Sequence, residues 1–238
     1  MDARPVSPRL TATSPVKSAS TVPVTFAPTC GDGPAFIVPG AANVFGAGID
    51  ELPAPAGGGG GVAPTCVAVP SSASTVMVPR ALGSLSFTPL RAPDVHFHKC
   101  PGGVEAILAY GPDGNAGGCP GDVPGGTILP AGGVSGIASK GRAGYLTAVF
   151  MPERWEGGPP PATLDFQERY DFDRLTPRLG QLFFMGDGRS GEGRLQHFRI
   201  PTGAARLYLG IADAAGFRGP PGFYDDNDGR LRVRIRFG

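Results

Sequence analysis

The stretch Arg230-Leu231-Arg232-Val233-Arg234-Ile235-Arg236-Phe237 decides the reading of the fold. In an extended chain successive side chains point to opposite faces. Leu231, Val233, Ile235 and Phe237 therefore share one face and the four arginines the other. A period of two with one apolar face is that of a half-buried β-strand. The arginine face reads as the solvated side of an edge strand, where positive charge discourages edge-to-edge association. The alternative is a row of cations presented to an anionic glycan or another polyanion.

Working back from this strand, short apolar runs punctuated by Gly, Pro and Ser recur. They are VSGIA (134–138), YLTAVFM (145–151), QLFFMGDG (181–188), LQHFRIP (195–201) and ARLYLGIAD (205–213). Earlier in the chain stand FIVPG from Phe36, ANVFGAG, CVAVP (66–70), STVMVP (74–79) and LGSLSFTPL (82–90). Their length and bounding residues are those of strands. No segment of about ten residues or more carries a helical stripe. DFQERYDFDRL (165–175) fits a single helical turn at most. The expected fold is all-β: an antiparallel β-sandwich of jelly-roll type with long Gly/Pro-rich loops.

Between the strands, PAPAGGGGGVAP (53–64) is expected to be a flexible loop, because fixing consecutive glycines is entropically costly. Residues 111–133 form a long connection with little core material, a kind that is commonly functional or disordered. Residues 1–28, rich in Pro, Ser and Thr, read as a disordered tail. That leaves 29–238 as a single sandwich domain.

With 39 Gly and 27 Pro in 238 residues the chain reaches the range where low-complexity stretches occur, but 41% hydrophobic residues suffice for a core. A net charge of +1 gives no global pull toward nucleic acid or an anionic membrane. Lys17, Lys99 and Lys140 are the only lysines among 21 basic residues. No apolar run reaches the length of about 18 residues that a membrane span needs. The first residues lack the apolar core of a signal peptide. Retention inside the cell, a start lying elsewhere and unconventional export all stay open. Cys30, Cys66, Cys100 and Cys119 allow three disulfide connectivities and leave the redox compartment open.

The chemistry concentrates in Asp225-Asp226-Asn227-Asp228-Gly229, directly before the last strand. Calcium takes six to eight oxygens from carboxylates, amides and carbonyls, and a tight Asp/Asn turn supplies several. Asp213 can close such a site from across a hairpin. The plainer alternative is a good turn sequence.

The stretch LGQLFFMGDGRSGEG…HFRIPTGAARLYLGIADAAGFRGPPGFYDDNDGRLRVRI, with YGPDGN and GGVSGIASKGRAGYLTAVFM before it, resembles the small calcium-dependent galactose-binding lectins of bacteria. These belong to the galactose-binding-like jelly rolls, and the likeness covers roughly residues 100–238. Their calcium loop, Pro-Gly-x-Tyr-x-Asn-Asn-x-Gly, is matched by Pro221-Gly222-Phe223-Tyr224-Asp225-Asp226-Asn227-Asp228-Gly229. The resemblance implies the carbonyl of Phe223 and the side chains of Asp226 and Asn227 as calcium ligands. It also implies Asp213, if residues 214–219 are an insertion, and the carbonyl of Tyr110. The same loop, Asp213, Phe223, Tyr224, Asp226 and Asn227, would meet the carbohydrate. Tyr224 would either pack on a sugar ring or serve the core. Phe223 stands where those lectins have a threonine, and their histidine and glutamine sugar contacts have no counterpart. The resemblance further implies a secreted or cell-surface bacterial protein.

Other constellations carry less. His96-x-His98-x-Cys100, with Cys119, offers zinc-type donors without a standard zinc spacing. Cys100 and Cys119 could equally staple the long loop that they bracket. GDGRSGEG (186–193) contains Gly-x-Gly-x-x-Gly, but a strand rather than a helix follows, against nucleotide binding. His96, His98 and His197 find no catalytic partners, and there is no Gly-x-Ser-x-Gly elbow. The expected function is non-catalytic carbohydrate recognition assisted by calcium. The alternative is a structural or protein-interaction sandwich without a sugar ligand.

Overall fold

The computed structural model describes residues 30–87, 97–99, 105–107, 110–114, 125–167 and 169–238. The tail expected over 1–28 lies outside these residues, as do His96, Cys100 and Cys119. The described strands are β1 (Ala35–Pro39), β2 (Thr65–Ala68), β3 (Thr75–Phe87), β4 (Phe97–Lys99), β5 (Glu105–Ile107), β6 (Thr127–Ile128) and β7 (Ile137–Ala138). They continue with β8 (Leu146–Met151), β9 (Leu164–Asp165), β10 (Arg174–Leu175), β11 (Phe183–Phe184), β12 (His197–Arg199), β13 (Arg206–Ile211) and β14 (Asn227–Phe237). Short 3-10 turns at Val44–Gly46, Ala215–Phe217 and Tyr224–Asp226 are the helical elements among the described residues.

The protein is all-β, as the alternation predicts. One sheet runs β1-β14-β3-β12-β10 and a second runs β11-β8-β13-β2, antiparallel except where β10 meets β12. β6, β7 and β9 form a small accessory sheet, and β4 pairs with β5. The two main sheets meet through one apolar core. Phe183 of β11 lies 5.2 Å, centroid to centroid, from Phe198 of β12, and 5.5 Å from Phe150 of β8. From the first sheet Phe36, Val38, Val76, Val78, Leu231 and Val233 enter the same core.

All six residues of β8 and of β13 are buried. Their second faces are covered in part by the turn at Val44–Gly46, whose Val44 and Phe45 are fully buried. Such near-continuous apolar strands are those covered on both sides. Part of the run ANVFGAG is therefore a 3-10 lid over the second sheet. The described residues of 165–175 hold no helix; they run from β9 to β10.

Two expectations are corrected by the sheet order. TVMVP and LGSLSF lie on one strand, β3, rather than two. Pro79 sits where the β14 register jumps from Arg234↔Arg80 to Arg236↔Met77, a bulge of the kind that tolerates a residue without an N–H. More consequentially, β14 is not an edge strand. It pairs with β1 on one side and β3 on the other, so its backbone needs no protection by charge. Alternation reports that one face is wet, and says nothing of what pairs with the two edges.

A disulfide joins Cys30 to Cys66 across 36 residues and ties the start of the described chain to β2. Closing a loop of that size is worth about 4 kcal/mol in the chain-entropy treatment, less any native strain. Replacing both cysteines with serine should lower the unfolding free energy by about 2–4 kcal/mol in a guanidinium titration. An unchanged midpoint would show that the bond constrains nothing.

Candidate functional site

β13 ends at Ile211 and delivers Asp213 into the interior, where it is 3% exposed. Ala214 forms an antiparallel bridge with Pro221, and the Gly222 N–H donates to the Asp213 carbonyl at 3.1 Å. Residues 215–220 are thereby closed off as a side loop, and Asp213 faces the segment 221–227 directly. Tyr224 pins that segment from below. Its ring is 1% exposed. Its hydroxyl donates to the Ile211 carbonyl at 2.8 Å and accepts from the Asp213 N–H at 3.2 Å. Of the two roles weighed for Tyr224, the core role is the one it occupies, and no ring face is left for a sugar.

The glycine run completes the site. Its backbone is a strap, not a loose loop. The Ala56 N–H donates to the Pro221 carbonyl at 2.9 Å, while Gly57 and Gly59 carbonyls accept from Phe223 and Tyr224 N–H at 2.7 and 3.0 Å. Gly60 accepts from Asn43 Nδ2 at 2.9 Å. The approach is too close for side chains: a Cβ on Gly58 would lie 2.8 Å from Phe223 Cα, and one on Gly61 2.4 Å from the Ala41 carbonyl oxygen. The expected flexibility is overridden because these hydrogen bonds offset the entropy of fixing glycine. Phe223 itself is held at φ 70, in the left-handed region, a conformation that costs a bulky residue of order 1–3 kcal/mol.

Asp213 is the unusual group. Burial, and to a smaller extent the negative charges of Asp226 and Asp225, raise its pKa from the ordinary carboxylate range to about 7. The Asn227 side chain and the Ala214 N–H oppose the rise, the latter donating to Asp213 Oδ1 at 2.7 Å. Asp213 Oδ2 and Asn227 Oδ1 are both buried and make no hydrogen bond of good geometry, although the Asn227 side chain lies close enough to Asp213 to act on its charge. Asn227 is oriented by its Nδ2, which donates to the Gly40 carbonyl at 3.1 Å. Buried polar atoms in folded proteins are nearly always partnered, so two orphaned oxygens on neighbouring side chains call for a cause.

The remaining expected residues divide. Asp226 is half-buried, its pKa raised by burial and by the charge of Asp225. Tyr110 arrives opposite β3, its backbone N–H and carbonyl paired with Leu85 at 2.9 and 2.8 Å. The charge of Asp213 contributes to raising its hydroxyl pKa, after burial. Tyr110 is thus beside the site, with its carbonyl already accepting one hydrogen bond. Among the described residues no three Asp, Glu, His or Cys side chains converge as a cluster. A cation here would have to draw on amide and carbonyl oxygens besides Asp213. The donors present, all oxygen, suit a hard ion such as calcium. The His96/Cys100/Cys119 constellation lies outside the described residues.

A second concavity, about 260 Å³, is lined by Asp113, Arg142, Tyr170, Asp187 and Arg189 among others. Asp113 Oδ1 accepts from the Asp187 N–H at 2.8 Å, and the Arg142 guanidinium lies 5.0 Å from the centre of the Tyr170 ring. Burial raises the Asp113 pKa. Its residues come from four separate stretches of chain; GDGRSGEG, read above against nucleotide binding, supplies one of them, and nothing local to it signals the others.

No family model, curated protein or solved structure matches the chain.

Two outcomes are expected. Asp213 keeps its proton up to about pH 7 when folded, but only to about pH 4 when unfolded. The folded state therefore holds the extra proton between these values, and stability falls as pH rises through that window, by roughly 4 kcal/mol in total. In a chelating buffer, urea midpoints should drop between pH 5 and pH 8, and the drop should be largely absent in Asp213→Asn. Parallel curves for the two proteins would assign the pH dependence elsewhere. Gly61→Ala, at φ 77, should lose about 1–3 kcal/mol in the same titration, since the strap must withdraw from Ala41.

Proposed function

We propose that this chain is a non-catalytic carbohydrate-binding domain in which a calcium ion sits at the start of β14, as in the bacterial lectins its sequence resembles. The observation that carries the reading is the pair of buried, unpartnered oxygens on Asp213 and Asn227. Asp213 Oδ2 and Asn227 Oδ1 would hold the ion from the interior. Asp226 would reach it from the rim, and the carbonyls of Phe223 and Tyr110 would complete the protein's share. Calcium supplies open oxygen positions that the paired hydroxyls of a sugar can fill.

The protein's own part in this scheme is preorganisation. Tyr224 and the glycine strap fix the backbone of 222–225 before any ligand arrives, which reduces the ordering cost of binding. The raised pKa of Asp213 means that the ion competes with a proton, so affinity falls as pH drops below about 7. Half-buried Phe223, rather than Tyr224, would be the aromatic side chain to border a sugar. The Cys30–Cys66 disulfide supports a secreted or surface setting, where such bonds persist.

Melting curves at pH 8 in calcium and in chelator test the ion. At a calcium concentration about a hundredfold above Kd, the melting temperature should rise by roughly 5–10 °C. Asp213→Asn and Asn227→Ala should lose that rise. Galactose-containing glycans should then bind only with calcium present. Absence of any thermal shift would remove the ion from the scheme. A shift without glycan binding would favour the structural reading, in which calcium merely stiffens the loop.

A further inference from the structure

The arginine row lies on the outward face of β14, in the interior of the five-stranded sheet. Arg230, Arg232 and Arg234 are all exposed. Across the strand pairs, Arg232 stands between Ile37 of β1 and Leu82 of β3, and Arg234 stands directly opposite Arg80 of β3. Ile37 and Leu82 are 47% and 49% exposed. Among the described residues none of these four arginines forms an ion pair with a carboxylate. Asp228, at the head of the row, is the acidic residue of β14, and its Oδ1 accepts from the Gly229 N–H.

Fold stability does not account for this arrangement. The strand needs no edge protection, and like charges directly opposite one another destabilise a sheet. Arg80, Leu82, Arg232 and Arg234 line a surface depression of about 300 Å³, at the lower end of the range of ligand sites. Alternate residues along a strand are about 7 Å apart, so the guanidiniums form a linear series. Each presents a planar fork that fits a carboxylate through two parallel hydrogen bonds.

We infer that this face binds an acidic polysaccharide, a chain with carboxylates on successive sugar rings. Its carboxylates pair with Arg80, Arg232 and Arg234, and the apolar C–H face of a ring lies over Leu82. Single-stranded nucleic acid fits less well, because its bases need aromatic platforms, and among the described residues no aromatic is one of the large exposed apolar side chains. The face of a sheet likewise lacks the helix or ribbon that enters a duplex groove. A lipid surface is disfavoured because Leu82 lines a depression rather than standing above the cations. This site is separate from the loop at the start of β14 and needs no calcium.

Binding of the full chain to polygalacturonate, measured in chelator at low salt, tests the inference. Affinity should fall roughly tenfold in Arg232→Gln/Arg234→Gln, with a shallower salt dependence. Arg154→Gln, an exposed arginine elsewhere, should bind like the unaltered protein. Fully methyl-esterified polygalacturonate should not bind. Unchanged melting temperatures would establish that the double variant is folded, and Arg232→Lys/Arg234→Lys, which keeps the charge, offers a second test by binding with intermediate affinity. The inference fails if polygalacturonate does not bind, or if Arg154→Gln weakens it equally. It fails too if oligothymidylate or phosphatidylserine vesicles bind more tightly.

Discussion

The molecule is organised by the placement of β14 between β1 and β3. An eleven-residue strand paired on both sides has no freedom to shift register, because a slip of one residue would drive its arginines into the core. Burying Leu231, Val233 and Ile235 therefore commits Arg230, Arg232 and Arg234 to the outer face, in register with Ile37, Leu82 and Arg80. The same pairing fixes the position of Asn227, the first residue of the strand, against the corner at Gly40. Both candidate surfaces descend from this single strand: the loop that precedes it and the cationic face it displays.

At the loop, the controlling quantity is the solvation of Asp213. A carboxylate removed from water must find a proton, a hydrogen-bond donor or a cation. Oδ1 has the Ala214 N–H. Oδ2 has no hydrogen bond of good geometry, only the nearby Asn227 side chain, and the charges of Asp225 and Asp226 make ionisation harder. The geometry that creates this tension is costly in its own right. It needs Phe223 in a left-handed conformation and a strap of glycines drawn against it. Tyr224 holds the arrangement through the Ile211 carbonyl and the Asp213 N–H, so the acidic residues at the rim are borne on a backbone anchored in the core.

The glycine run illustrates how composition and structure part company. Five glycines in sequence have a high entropy when unfolded and give no side-chain packing. They nevertheless lie along a loop from whose N–H groups the carbonyls of Gly57 and Gly59 accept, at a distance where a Cβ on Gly58 would collide. A composition-based reading sees only the entropic side. The enthalpic side appears once residues 56–60 are brought beside residues 221–224, which are far away in the chain.

Strand alternation and punctuation, read from residues 230–237 backward, were enough to determine that the protein is all-β and which side chains of β14 face inward. Both are local consequences of a two-residue repeat. The acidic turn and Asp213 were also visible as oxygen-rich positions. Tertiary structure alone decided that β14 is central rather than peripheral, that Tyr224 is a buried anchor, and that Asp213 and Asn227 keep unpartnered oxygens. It alone assembled the cleft around Asp113 and Arg142. The division has one physical cause. Periodicity records the environment of a single chain segment, whereas edge pairing, burial of an isolated side chain and the satisfaction of its polar atoms depend on partners that the chain brings together from a distance.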